Sequence, residues 1–126
     1  MAESALLSIL SNLKKKYAQL NSFYEATRKL HTVFAEGEEA EVAGLLAQRQ
    51  SAMSAIDALD AHNKALLKEL TPALREKIGH CMKPSGVTIT LDNPLHTNIY
   101  ETSKKNFALT KRAAEADREL HRLFPR

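Results

Sequence analysis

Residues 6–34 read LLSILSNLKKKYAQLNSFYEATRKLHTVF, and the spacing of their larger side chains decides the fold. Leu6, Leu10, Leu13, Tyr17, Leu20, Tyr24, Thr27, His31 and Phe34 follow one another in steps of four and three. That spacing keeps side chains on one side of an α-helix while the helix follows a partner. The rhythm returns at Val42, Leu46, Arg49, Met53, Ile56, Asp60, Asn63, Leu67 and Leu70, and again at Leu95, Ile99, Thr102, Asn106, Leu109, Ala113, Ala116, Leu120 and Leu123. The expected fold is all-α: a long antiparallel helical hairpin plus a third long helix, in a three-helix, coiled-coil-like bundle. Beside the middle stripe runs another, Leu45, Ala52, Ile56, Leu59, Leu66 and Leu70, which makes the second helix wide enough to touch two partners.

Turn chemistry sets the boundaries. Ser4 is the expected N-cap of the first helix, which runs to Ala35. Gly37 follows, where a left-handed C-cap is wanted. Glu38, Glu39 and Glu41 then crowd the next first turn, where acidic groups suit the helix dipole. The second helix should reach Leu70, with Gly44 either an interior weakness or a point of close backbone approach. Thr71-Pro72 reads as N-cap and first helical residue of a short further helix that Gly79 stops. Pro84, Ser85 and Gly86 make a turn, and the β-branched run Val87 to Leu91 has no sheet to join, so 83–93 reads as a linker. Asp92 or Asn93 caps a third helix that has Pro94 at its first position and runs to Phe124. The organisation expected is a hairpin with its short terminal helix over 1–82, the linker, and an amphipathic helix over 94–126. The third stripe has Thr102, Asn106, Ala113 and Ala116 in place of larger side chains, which suits a segment able to leave its groove.

At 126 residues the chain is one domain with a thin core. Aromatic content is 6% and tryptophan is absent, which fits slender helices packed through Leu and Ala better than an enclosed pocket. Charge is uneven: residues 1–35 carry +3, 36–71 carry −4, 72–93 carry +1 and 94–126 carry +3. An acidic middle helix between two basic ones accounts for this. Lys14, Lys15, Lys16, Lys104, Lys105, Lys111 and Arg112 form basic clusters, but without interleaved aromatics or Gly-rich loops no nucleic-acid partner is expected. The single cysteine, Cys81, excludes an internal disulfide and suits a reducing compartment. The start Met-Ala-Glu-Ser does not read as a signal peptide, and no run reaches the roughly 18 apolar residues of a membrane span. The expectation is a cytoplasmic protein without membrane partner.

Catalytic and metal chemistry find little support. His80, Cys81 and Met82 are adjacent, a spacing that cannot easily close a tetrahedral site, and no second Cys or paired His stands near. Asp57 and Asp60 lie one turn apart, but a slender hairpin offers little cleft in which to shift their pKa values. No phosphate-binding Gly loop, nucleophile elbow or His-Glu-x-x-His occurs. No enzyme activity, cofactor or metal is expected. Asp60, Asn63 and Asn106 interrupt apolar stripes, either to fix helix register or to face a groove that a partner fills.

The stretch Ala35-Glu-Gly-Glu-Glu-Ala-Glu-Val-Ala-Gly-Leu-Leu-Ala-Gln-Arg-Gln-Ser-Ala-Met-Ser-Ala-Ile-Asp-Ala-Leu-Asp resembles the flagellar export chaperones of the FlgN and FliT kind. Those proteins also open with a long Leu- and Tyr-rich helix, as Leu13 to Tyr24 does here, and turn through an acidic Gly-containing loop into a Leu-Leu-x-x-Arg/Lys-Gln core, here Leu45 to Gln50. Asn106-Phe-Ala-Leu109 and the ending Leu120 to Phe124 are similar to the Asn-x-x-Leu and apolar tail of the FlgN side. The resemblance implies a cytosolic type III export chaperone that binds the amphipathic carboxy-terminal helix of a hook-associated or filament-cap protein, prevents premature assembly and meets the export apparatus. Ile99, Phe107, Leu109, Leu120 and Leu123 are the expected client-binding side chains. The alternative is a coiled-coil structural or adaptor subunit that self-associates, as a homodimer, through the same stripes.

Overall fold

The computed structural model describes residues 2–83, 91 and 93–125. It contains helices α1 (Ala2–Glu36), α2 (Val42–Lys68), α3 (Pro72–Met82) and α4 (Pro94–Leu123), and no strand among the described residues. The chain is all-α, as the stripes require. The expected segment Val87 to Thr90 falls outside the described residues; Leu91 packs, partly buried, on the core.

Cross-helix contacts give the topology. Gln48 meets Ser22 and Asn63 meets Asn12, so α2 runs antiparallel to α1. Asn106 meets the Leu13 carbonyl, Arg112 meets Tyr24 and Phe124 meets His31, so α4 runs parallel to α1. Helix α1 is therefore the middle element. The second helix has two partners, as expected, but the second of them is α3: among the described residues no Cα of α2 lies within 8 Å of one in α4.

Two heptad stripes on α1 are the physical reason. The predicted stripe faces α4. Beside it runs Ala5, Ile9, Asn12, Lys16, Gln19, Phe23, Ala26, Leu30 and Val33, which faces α2 and is apolar at its two ends but polar in the middle. Ile9, Ala26 and Leu30 on it are fully enclosed, whereas Tyr17 of the first stripe is exposed. The core accordingly separates into two clusters. The lower one gathers Leu6, Ile9, Leu10 and Leu13 of α1 with Leu70, Ile78, Cys81 and Ile99; the upper one gathers Ala26, Leu30 and Val33 with Val42, Leu45 and Leu120. Each fully enclosed Ile or Leu contributes about 1.5–3 kcal/mol by leaving water.

Local chemistry places the ends. Gly37 takes φ +72°, the left-handed cap its sequence position asks for. Helix α1 starts at or before Ala2, so Ser4 lies within it rather than capping it. Helix α2 starts at Val42, and Glu38, Glu39 and Glu41 precede it instead of filling its first turn. Thr71 Oγ1 accepts from the Leu74 N–H with Pro72 at the first helical position, as expected. Gly79 does not stop α3, which continues to Met82 because Ile78 and Cys81 bury on either side of it. Gly44 is exposed with open space where a Cβ would sit, so no backbone approaches it. Arg75 donates to the carbonyls of Leu67, Lys68 and Leu70 and so satisfies the end of α2. Asn93 Oδ1 accepts from the N–H groups of Leu95 and His96 and starts α4.

Candidate helix-binding groove

Because α2 and α4 flank α1 with their backbones more than 8 Å apart among the described residues, an apolar trough opens between them with α1 as its floor. Its middle is a cleft of about 270 Å³ with Leu20 and Phe23 as floor, Met53 and Ile56 on the α2 wall, and Thr110, Ala113, Ala114 and Asp117 on the α4 wall. The small side chains of α4, which weaken its stripe as a packing surface, are what leave this room. Thr110 also lines a lower cleft of about 360 Å³, shared with Leu13, Lys16, Met82, Lys83 and Phe107. An upper hollow is bounded by Leu30, Phe34, Leu46, Arg49, Leu120, His121 and Phe124. Below the Arg49–Asp117 pair the floor runs from Leu13 to Phe23, roughly 15 Å at 1.5 Å per residue, about three helical turns.

Two ion pairs cross or border the trough. Arg49 donates to Asp117 Oδ1 at 2.5 Å, and its guanidinium lies 4.7 Å from the centre of the Phe23 ring. Among the described residues it is the only ion pair between α2 and α4, and it separates the middle cleft from the upper hollow. Asp117 also stands 3.4 Å from His121 Nε2. Below, Lys16 Nζ meets Asp60 Oδ1 at 2.8 Å. Of the residues that interrupt the stripes, Asp60 is thus an exposed ion-pair partner, while Asn63 and Asn106 are buried. Asn12 Nδ2 donates to Asn63 Oδ1 at 2.9 Å and lies 3.0 Å from His62 Nδ1; Asn106 Nδ2 donates to the Leu13 carbonyl at 3.0 Å. Both asparagines tie one helix to another, as the register reading asks, and Asn106 also lines the lower cleft, as the groove reading asks.

The structure divides the expected client-binding residues. Ile99, Leu109 and Leu120 are buried against α1 and are uncovered only if α4 leaves. Phe107, 48% exposed, stands on the lip of the lower cleft, and Leu123 is exposed near the end of α4. The groove residues that sequence reasoning did not single out are Leu20, Phe23, Met53, Ile56 and Ala114. Their signal was present, since the Leu46, Arg49, Met53, Ile56 stripe is the wall itself, and Leu46 and Met53 remain 40% and 46% exposed.

Among the described residues no three His, Cys, Asp or Glu side chains converge as metal ligands would, and no helix is long and apolar enough to cross a membrane. Asp57 is exposed, and His80 reaches only Glu76 of its own helix. Burial pushes the Cys81 thiol pKa up, with Lys77 pulling weakly the other way, so the thiol stays protonated inside the lower cluster. Compared with known proteins, the chain matches no family model, no curated protein and no solved structure.

Proposed function

We propose that this chain is a helix-binding protein, not an enzyme, whose α2–α4 trough receives an amphipathic helix of a partner. The supporting observation is the middle cleft: a floor and two walls of Leu, Phe, Met, Ile and Ala side chains, between helices whose backbones stand apart and which the Arg49–Asp117 pair bridges at one end. A helix laid there would convert three helices into four and bury the exposed faces of Leu46 and Met53. With the resemblance in its helical hairpin, the reading becomes a cytoplasmic flagellar export chaperone that shields the carboxy-terminal helix of a hook-associated or filament-cap subunit.

Calorimetric titration of those carboxy-terminal segments into the intact protein tests it. Micromolar or tighter binding with a gain in helicity is expected, and Met53→Asp should weaken it at least about tenfold, 1.4 kcal/mol, by placing a charge on the wall. Absence of heat with every segment, together with a stable dimer in sedimentation, would favour the self-associating adaptor subunit.

A further inference from the structure

The trough is electrically lopsided, and that specifies its occupant beyond its apolar face. Lys104, Lys111 and Arg118 follow one another at intervals of seven along α4, which puts them in one row about 10 Å apart. Lys111 Nζ lies 5.2 Å from the centre of the Phe107 ring, and Phe107 lines the lower cleft, so the row follows the outer lip of the α4 wall. Lys104 sits equally far from the ring of Tyr100. Among the described residues none of the three cations has a carboxylate within 4 Å: Glu101 and Glu115 stand one helical turn from the row without reaching it, and Asp117, which lines the middle cleft, is engaged by Arg49. The opposite lip, with Gln50, Asp57 and Lys64, carries no net charge.

We infer that the groove selects an amphipathic helix whose flank toward α4 is acidic, with carboxylates seven residues apart. This rests on the helix-binding reading and adds orientation to it. A helix in the trough meets its neighbours as one strand of a coiled coil does, with flanking charges choosing partner and direction. Heptad-spaced Glu or Asp on one flank would meet the three cations in turn. The opposite orientation would turn those carboxylates away from the cations, and a basic flank would set like charges against them. Seating two of the ammonium groups on aromatic rings already limits their freedom, which lowers the ordering cost of each new pair.

The test uses the intact protein and two synthetic peptides of about 21 residues, three heptads, one for each cation of the row. Both carry Leu and Ala on one face; one has Glu at every seventh position of a flank and its twin has Lys there. At about 50 mM salt, where surface charges are little screened, the Glu peptide should bind at least about tenfold tighter. The variant Lys104→Glu, Lys111→Glu, Arg118→Glu should reverse the order. Equal affinity of the two peptides for the unaltered protein would overturn the charge selection and leave helix binding standing. Binding of neither would remove both. A short DNA duplex held more tightly than the Glu peptide would assign the row to phosphates. A stable dimer that the triple variant dissociates would assign it to a second copy. Either result overturns the inference.

Discussion

The two ends of this molecule solve the same packing problem differently. At the lower end, α3 folds across the base, and Ile78 and Cys81 complete a cluster in which Ile9 and Ile99 are fully enclosed. Further up nothing fills the space between α2 and α4. There Leu20 and Phe23 of α1 form a floor, Leu20 closed under its neighbours and Phe23 half-buried, and only the Arg49–Asp117 pair ties the walls until the upper cluster closes over Leu30. The core is closed where α3 joins the other three helices, and unsatisfied apolar surface is left where α2 and α4 alone meet the floor. Cohesion and binding are thereby assigned to different stretches of the same helices.

The largest expected effect tests that division directly. Ile99→Ala should destabilise the protein by about 3 kcal/mol, because the enclosed side chain leaves a cavity its neighbours fill only in part. Met53→Ala, on an open wall, should cost under about 1 kcal/mol, while its loss from the groove weakens helix binding. Urea unfolding of the two variants gives the comparison. Equal losses would mean that the trough is part of the core and that the contrast between the ends is false.

Intermediate effects come from the polar lock between the ends. Asn12→Ala takes from buried Asn63 its donor on α1 and should cost about 2 kcal/mol. Replacing both asparagines by Leu removes donor and acceptor together, so the double variant should be less destabilised than the sum of its parts. A thermodynamic cycle over these variants measures the coupling; strict additivity would show that the two amides do not act as a pair.

How much of this was readable in the chain varies by element. The helices, the Thr71 and Asn93 caps and the Gly37 turn were legible because each rests on local chemistry, either backbone geometry or a side chain reaching a nearby N–H. The identity of the central helix was not. The second stripe of α1 contains Asn12, Lys16 and Gln19, so a reading by apolarity breaks it in the middle. Two of those polar side chains are instead satisfied across the interface, Asn12 by Asn63 and Lys16 by Asp60. On α2 the reverse held. Leu46, Met53 and Ile56 have the spacing of a packing face, and spacing alone cannot say whether the face is filled. The candidate site was therefore visible as a stripe and invisible as a groove, because a groove depends on what the neighbouring helix withholds, here the bulk missing at Ala113 and Ala114.

The smallest effect concerns the closed end alone. The Cys81 thiol is held above its ordinary pKa by burial, so the folded protein keeps it protonated at a pH where the unfolded chain ionises it. Stability from this group is full below the unfolded thiol's pKa of about 8.5 and declines as pH rises through and beyond it. One proton sets the limit: the slope should not exceed about 1.4 kcal/mol per pH unit. Melting curves between about pH 7.5 and 9.5 should show this decline in the unaltered protein and a flatter profile in Cys81→Ala. Alkylation of the thiol should be slow until the protein is denatured, since the side chain is fully enclosed. Rapid modification of the native state would mean that the lower cluster opens as readily as the groove above it, and the contrast between the two ends would then be one of shape and not of stability.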